Sequence, residues 1–267
     1  METSRLSVVA TAIAGDLRGS LRRARELGFT GVELDARTGL DPEQVTQTGL
    51  RQIRKWLEDE GLEVSAVSFR TRGGYADAER LEGRIAATKA ALTLAHGLGA
   101  RVVVNHVGDV PPPPPAEAGA AVDPRWRLLV EVLADIGSWG ERAGATLCAE
   151  TGRVGPADML RLIAALPVGA LTCDIVPGAL VVHGHDPVEA IATLSGHVGH
   201  VHATDAVAGA FAGRGRGVIL GTGQVDWPGV FGALEERGYR DWVCLDAIDR
   251  VGARAELAAA VDFLRAL

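Results

Sequence analysis

Residues 129–150 read LVEVLADIGSWGERAGATLCAE and contain one complete unit of the repeating pattern that decides the fold. Apolar side chains at spacings of three and four residues predict an amphipathic helix over the first part of this segment. Gly144 predicts the end of that helix, because glycine readily adopts the left-handed conformation that stops one. The run Thr146–Glu150 follows as a short strand that ends on a carboxylate.

The same order of helix, glycine and strand recurs along the chain. Glycines end further helical patterns at Gly28, Gly61, Gly99 and Gly238. The predicted strands are Leu6–Thr11, Gly31–Asp35, Glu63–Phe69, Arg101–Asn105, Thr146–Glu150, Gly169–Asp174, Val198–His202 and Trp242–Asp246. Eight strands alternating with helices over roughly 250 residues are the layout of a (β/α)₈ barrel. An open doubly wound sheet is less well supported, since no Gly-x-Gly-x-x-Gly follows the first strand. We therefore predict a single TIM-barrel domain over residues 1–267.

Composition excludes several classes of protein. The formal net charge of −7 does not suit a nucleic-acid partner, and no apolar run is long enough to span a membrane. Three cysteines without a secreted spacing pattern favour a reduced, cytoplasmic location, and no signal peptide is expected. The chain's only lysines, Lys55 and Lys89, fall on predicted outer helices, which argues against Schiff-base chemistry. Without a phosphate loop or a dinucleotide fingerprint, nothing indicates NAD, ATP or a flavin.

The last four predicted strands each end on a side chain that can bind a metal ion: Glu150, Asp174, His202 and Asp246. Side chains alternate along a strand, so these residues can point into the barrel mouth while Leu147, Val201 and Leu245 face the helices. His200 has the inward parity one layer below and is expected to fill the barrel core. Any one of these carboxylates alone could be a helix cap or an ion-pair partner, but four coinciding strand ends favour a joint site. Three carboxylates and one imidazole suit one divalent ion, Mn²⁺ or Mg²⁺ first, with Co²⁺ or Zn²⁺ as alternatives.

Other polar residues near the strand ends are candidates for supporting roles. Arg70 follows the third strand and can meet a substrate carboxylate or phosphate. Asn105 and His106 follow the fourth strand, and one of them is expected to line the substrate pocket. Glu33 is expected to organise hydrogen bonds, and Asp205 to orient a metal-bound histidine or a loop backbone.

Two loops are long, and two Asp-Pro pairs predict helix starts. The loop 108–123 carries the prolines Pro111 to Pro115 and is expected to be a stiff spacer. The loop 203–225, rich in Gly, Ala and Arg, is predicted to be a mobile lid. Asp41-Pro42 and Asp186-Pro187 each suit an N-cap followed by the first helical position.

Four segments resemble the xylose isomerase-like TIM-barrel superfamily, and the likeness extends over nearly the whole chain. They are residues 29–34 (FTGVEL), 98–104 (LGARVVV), 149–152 (AETG) and 200–205 (HVHATD). That superfamily contains sugar and sugar-phosphate isomerases and epimerases, inosose and dehydroshikimate dehydratases, hydroxypyruvate isomerases and type IV apurinic endonucleases. The resemblance implies that Glu150, Asp174, His202 and Asp246 together hold one metal ion. It also places Arg216 where relatives often have a substrate-binding arginine, and implies a homo-oligomer paired through the outer helices.

The chain departs from the family pattern at two positions. Asp246 stands where related epimerases usually have glutamate, and Pro177 stands where many relatives have histidine. We expect a metal-dependent isomerase or epimerase of a sugar, sugar phosphate or polyol-like keto compound, with Glu150 and Asp246 as its acid–base pair. A dehydratase or lyase acting on an inosose, a dehydroshikimate-like or a glycoside-derived keto compound is the alternative. A non-catalytic small-molecule-binding barrel or an inactive subunit is the alternative of another class. A nuclease is disfavoured, since Pro177 replaces a ligand of those enzymes and the chain is acidic.

Overall fold

The computed structural model describes residues 5–13, 16–113, 122–246 and 253–267. Eight parallel strands close into a barrel in which each strand lies beside its neighbour in sequence, and the last barrel strand pairs with the first. The barrel strands are β1 (Arg5–Val9), β2 (Gly31–Asp35), β3 (Glu63–Ser68), β4 (Val102–Asn105), β5 (Thr146–Glu150), β6 (Leu171–Ile175), β7 (Val198–Ala203) and β10 (Trp242–Leu245). The prediction of a TIM barrel is confirmed.

Helices lie between the strands. They are α1 (Leu17–Glu26), α2 (Gln47–Glu60), α3 (Leu81–Leu98), α4 (Pro124–Ala143), α5 (Pro156–Ala164), α6 (Pro177–Val182), α7 (Pro187–Thr193), α8 (Trp227–Glu236) and α9 (Ala253–Ala266). Gly61, Gly99 and Gly144 end α2, α3 and α4 in the left-handed conformation, with φ of 62°, 87° and 84°. The glycine signal therefore located these helix ends correctly. No helix in the described part of the chain is long and apolar enough to cross a membrane.

The two Asp-Pro pairs behave differently. Asp186 caps α7, its carboxylate accepting a hydrogen bond from Val188 N at 2.7 Å, as predicted. No helix begins at Pro42. The Asp41 carboxylate instead closes a turn with Glu43 N at 3.0 Å, and α2 begins five residues later with Thr46 as its cap. An Asx turn and an N-cap use the same local hydrogen bond, so the dipeptide alone does not distinguish them.

The long loops also differ in outcome. The segment predicted as a lid contains an antiparallel hairpin formed by β8 (Asp205–Val207) and β9 (Arg216–Val218). Of the predicted proline spacer, residues 114–121 lie outside the described residues.

The core has two parts, as the strand parity predicts. Leu147, Val201 and Leu245 are buried in the large apolar cluster that the strands share with the helices. Cys148 belongs to a separate small cluster with Ala66, Val102 and Val104, which fits the interior of the barrel. Bulky residues outside and small residues inside leave room for polar side chains at the upper end of the barrel interior.

Candidate active site

An arginine lies between two carboxylates at the barrel mouth. Arg70, two residues after β3, donates a hydrogen bond from Nε to Glu150 Oε1 at 2.5 Å, and its Nη2 lies 3.5 Å from Asp246 Oδ2. We call Arg70, Glu150 and Asp246 the rim triad. Their side chains are 38%, 18% and 15% exposed. Burial tends to lower the pKa of Arg70, but Glu150, Glu33 and Asp246 raise it above its ordinary value, so the guanidinium stays charged.

A second polar group lies deeper in the barrel and is completely buried. We call Glu33, Asp174, His200 and His202 the histidine layer. Asp174 accepts a hydrogen bond from His202 Nδ1 at 2.6 Å and another from His200 Nδ1 at 3.1 Å. On the other side of the ring, His202 Nε2 lies 2.7 Å from Glu33 Oε2. His202 is therefore held between two carboxylates that belong to different strands.

The charges in the histidine layer stabilise each other. Burial tends to raise the pKa of Glu33, but His202, with smaller contributions from His200 and Arg70, outweighs burial and lowers the pKa to about 2. The same balance of burial against His202 and His200 holds the pKa of Asp174 well below its usual range. Burial tends to lower the pKa of His200, and the Asp174 hydrogen bond raises it instead to about 9; the pKa of His202 is also raised well above its ordinary value. Without another cation, this arrangement favours ionised carboxylates and protonated imidazoles.

Several atoms of the histidine layer have no hydrogen-bond partner among the described residues. They are both carboxylate oxygens of Glu33 and the Nε2 atoms of His200 and His202; the 2.7 Å contact is close but lies outside hydrogen-bond geometry. Ligand atoms of Glu33, His200 and His202 lie within 4.8 Å of one another. Two imidazoles and a carboxylate are a suitable donor set for a divalent ion, so this part of the barrel can hold one.

The four ligands predicted from sequence do not converge in this arrangement. His202 is the only one of them in the group of Glu33, His200 and His202. Glu150 and Asp246 are turned toward Arg70, while both oxygens of Asp174 face imidazole nitrogens. The sequence reasoning missed Glu33 and His200 as candidate ligands. Their signals were the inward parity that His200 shares with His202 and the position of Glu33 between two apolar residues, Val32 and Leu34, of a strand.

The last residue of β4, Asn105, and the residue after it, His106, have separate roles. Asn105 is buried, accepts a hydrogen bond from Thr71 N at 3.0 Å and donates one to the Tyr75 hydroxyl at 2.8 Å. It therefore fixes the loop after β3. His106 is the residue that lines the cavity over the mouth, with its Nε2 in contact with the Thr71 carbonyl.

A cavity of about 900 Å³ lies beside Glu150, and an adjoining cavity of about 730 Å³ is lined by the whole rim triad. Arg72, Arg125 and Arg153 line the larger one. His183, at the end of α6, lines both cavities. Burial, His185 and Arg153 lower its pKa. Arg216, by contrast, is exposed on β9 and is not among the residues that line these cavities.

Asp205 holds the loop that follows the hairpin. Its carboxylate accepts hydrogen bonds from the backbone nitrogens of Gly221 at 2.9 Å, Gly223 at 3.0 Å and Val225 at 3.2 Å. Two roles were considered for Asp205: to orient a metal-bound histidine or to orient a loop backbone. Its hydrogen bonds support the second role.

The xylose isomerase-like TIM barrel family model matches residues 21–267, and the chain belongs to this family. A xylose isomerase domain protein from Planctomyces limnophilus has a similar structure, with a TM-score of 0.83 at 22% identity over 99% of this chain and 96% of that one. The 3-keto-D-glucoside 4-epimerase from E. coli has a TM-score of 0.78 at 17% identity, over 99% and 100% of the two chains. The D-psicose 3-epimerase from Clostridium cellulolyticum H10 gives 0.77 at 16%, over 98% of each chain. No curated protein matches the sequence. At these identities, the likeness establishes a shared fold.

Proposed function

We propose that this protein is a divalent-metal-dependent sugar isomerase or epimerase. The observation that carries the proposal is a pair of carboxylates, Glu150 and Asp246, which lie on two sides of one guanidinium and line a cavity of about 730 Å³. That volume accommodates a small sugar-like substrate. Sugar epimerases among the proteins of similar structure support the same substrate class.

Buried imidazole and carboxylate atoms of Glu33, His200 and His202 converge without hydrogen-bond partners among the described residues, and His202 is also one of the four proposed ligands, so the chemistry of this part of the barrel fits a divalent ion. In the proposal Glu150, Asp174, His202 and Asp246 hold the ion, and Glu33 orients His202 from its other nitrogen. Such an ion, when bound, polarises neighbouring carbonyl and hydroxyl oxygens and acidifies the adjacent C–H bond. Mn²⁺ and Mg²⁺ are the preferred choices for a carboxylate-rich set.

The protein's own groups move the proton. Glu150 removes it from the carbon beside the carbonyl, and Asp246 returns it from the opposite face, which inverts that centre. If the proton is returned to the neighbouring carbon instead, the product is an isomer of the substrate. Arg70 lies against both carboxylates and is placed to contact a substrate oxygen. Arg72 and Arg125 line the adjoining larger cavity and can contact a phosphate or carboxylate on the substrate, whereas Arg153 in the same lining is paired with Asp109 at 2.8 Å.

Proton exchange tests the proposed chemistry. Ketoses, sugar phosphates, inososes and hydroxy acids are incubated in D₂O with the protein and Mn²⁺, and deuterium incorporation is followed by mass spectrometry. We expect exchange on at least one compound, and E150Q should slow it by about 10²- to 10⁴-fold. E131Q, at an exposed position on α4, is the matched control. If a substrate is turned over and E150Q leaves its turnover intact, the acid–base role is wrong. Exchange with loss of a hydroxyl would indicate the dehydratase, and metal binding without exchange a non-catalytic barrel.

Metal content per chain separates the proposed ligand set from the buried group of Glu33, His200 and His202. On the proposal, D174N releases the ion while H200N retains it. Loss of metal in H200N together with retention in E150Q would assign the ion to the deeper group. No bound metal after incubation with Mn²⁺, Mg²⁺, Co²⁺ and Zn²⁺ would overturn the metal-dependent mechanism.

A further inference from the structure

Arg70, a cationic side chain of the protein itself, lies between Glu150 and Asp246. The Arg70 guanidinium donates to one carboxylate and lies 3.5 Å from the other. These are two of the four residues proposed to hold the divalent ion. A guanidinium presents several N–H donors in a fixed plane, so one side chain can contact both carboxylates at once. In the rim triad, Arg70 is thus paired with two carboxylates that a metal ion would need as ligands.

We infer that Arg70 is a built-in counter-ion that competes with the divalent cation for Glu150 and Asp246. The ion gains these two carboxylates only when the guanidinium swings away from them. The inference rests on the proposed function, because it takes Glu150 and Asp246 to be metal ligands. It assigns to Arg70 the control of metal affinity at this site.

The described contacts of Arg70 go to the two carboxylates alone. Its described hydrogen bond and ion pairs go to Glu150 and Asp246, and its side chain is 38% exposed beside the cavity of about 730 Å³. Arg84 shows the opposite behaviour, since its guanidinium donates to three backbone carbonyl groups and is 10% exposed. Arg84 is therefore fixed by the fold, whereas Arg70 is held by the carboxylates for which the metal competes.

Arg70 and the divalent ion compete for the same two carboxylates. Glu150 and Asp246 balanced by one guanidinium carry a net charge of −1 instead of −2, so Arg70 weakens the attraction that these two ligands offer to a divalent ion. Glu150 Oε1 accepts the hydrogen bond from Arg70 Nε, so this oxygen is engaged while Arg70 stays in place. When a protein is competent to bind for only a fraction of the time, its apparent dissociation constant rises by the inverse of that fraction. A site open about one tenth of the time binds about tenfold more weakly.

Mn²⁺ titration of the metal-free protein by calorimetry tests the inference directly. R70M retains an unbranched stem of similar length and removes the charge without adding a metal ligand. We expect R70M to bind Mn²⁺ at least about tenfold more tightly than the unaltered protein. R72M is the matched control, because Arg72 is exposed, lines the neighbouring cavity and forms no ion pair with a described residue. It should change the affinity by less than about fivefold.

Each result gives a clear answer. Equal or weaker Mn²⁺ binding by R70M, with normal binding by the unaltered protein, overturns the inference and leaves the proposed metal site in place. Equal gains in R70M and R72M also overturn it, since general charge would then explain the effect. If neither the unaltered protein nor R70M binds Mn²⁺, both the inference and the proposed metal site fail. Circular dichroism checks folding; if R70M does not fold, R70K keeps a charge too compact to contact both carboxylates and should show a smaller gain.

Discussion

The histidine layer and the rim triad are both clusters of charged residues in one barrel, yet they differ in how the fold holds them. Asp174, His200 and His202 lie on neighbouring strands and are completely buried. Arg70 and Asp246 lie just beyond the ends of β3 and β10, and their side chains retain contact with solvent. A buried ion pair requires every partner, because an unpaired buried charge is strongly unfavourable. Partly exposed pairs can exchange partners with water or another cation.

The histidine layer therefore carries charge that stabilises the fold, whereas the rim triad carries charge that can change partners. In the metal-free protein the histidine layer fixes two imidazoles in one orientation through Asp174. The rim triad can be opened without breaking a strand. A site that must admit a cation and a substrate, then release a product, requires both properties. Four predictions test whether the two clusters behave in these different ways.

The largest expected effect is on stability when Asp174 is neutralised. D174N removes the carboxylate that accepts from both imidazoles, and it should lower the free energy of unfolding by about 3–5 kcal/mol. D246N, the matched change at the rim, should lower it by less than about 1 kcal/mol. Urea unfolding of the metal-free proteins, followed by circular dichroism, measures both values. A loss in D246N as large as that in D174N would remove the distinction between the two clusters.

The hairpin beside the rim provides a second test, because Asp205 is nearly as buried as the histidine layer. D205N replaces one acceptor oxygen with an NH₂ group that faces backbone N–H groups of residues 221–225. We expect a loss of about 2–3 kcal/mol, since charge-assisted hydrogen bonds are among the stronger ones. D226N is the control, because Asn remains a good N-cap for α8. Amide hydrogen exchange then shows whether the opening is confined to residues 205–225 or extends to β7, in which case the hairpin is not independent.

The pH dependence of stability should originate in the histidine layer. The pKa of His200 is raised from 6.5 to about 9, so its stabilising contribution is complete below pH 6.5 and is lost as the pH rises through 9. The pKa of Glu33 is lowered from 4.5 to about 2, so its contribution is complete above pH 4.5 and is lost as the pH falls through 2. The free energy of unfolding of the metal-free protein should therefore fall between pH 6.5 and 9, by on the order of 2 kcal/mol. R70M should show the same fall. A stability that does not change over this interval would contradict the protonated state of the imidazoles.

The barrel could be predicted from sequence because each of its units is local. A helical stripe, a terminating glycine and a short strand occupy consecutive residues, as in 129–150, so no distant contact is needed to recognise the unit. The failure at Asp41 has the same origin, since one local hydrogen bond serves both a turn and a helix cap. Strand parity likewise placed Leu147 toward the helices and Cys148 toward the interior.

The candidate site was predictable only in part, because its pairings join distant positions. Glu150 and Asp246 were singled out by their strand ends, and both line the cavity of about 730 Å³. Arg70, however, is 80 residues from Glu150, and no local pattern records that contact. The position of His183 depends on where the short helix α6 ends above the barrel. Metal affinity, substrate identity and assembly depend on energies that strand spacing does not encode.

The smallest expected effect is also the most direct measure of the difference between the clusters. A double-mutant cycle with R70M and E150Q isolates the coupling between the two side chains, which we expect to be about 1 kcal/mol in dilute buffer. Solvent ions reach this pair, so the coupling should fall substantially in about 0.5 M NaCl. The cycle of D174N with H200N reports on a pair that solvent does not reach, and its coupling should change little with salt. Equal salt dependence in the two cycles would mean that water enters the histidine layer, and that both clusters are open to exchange.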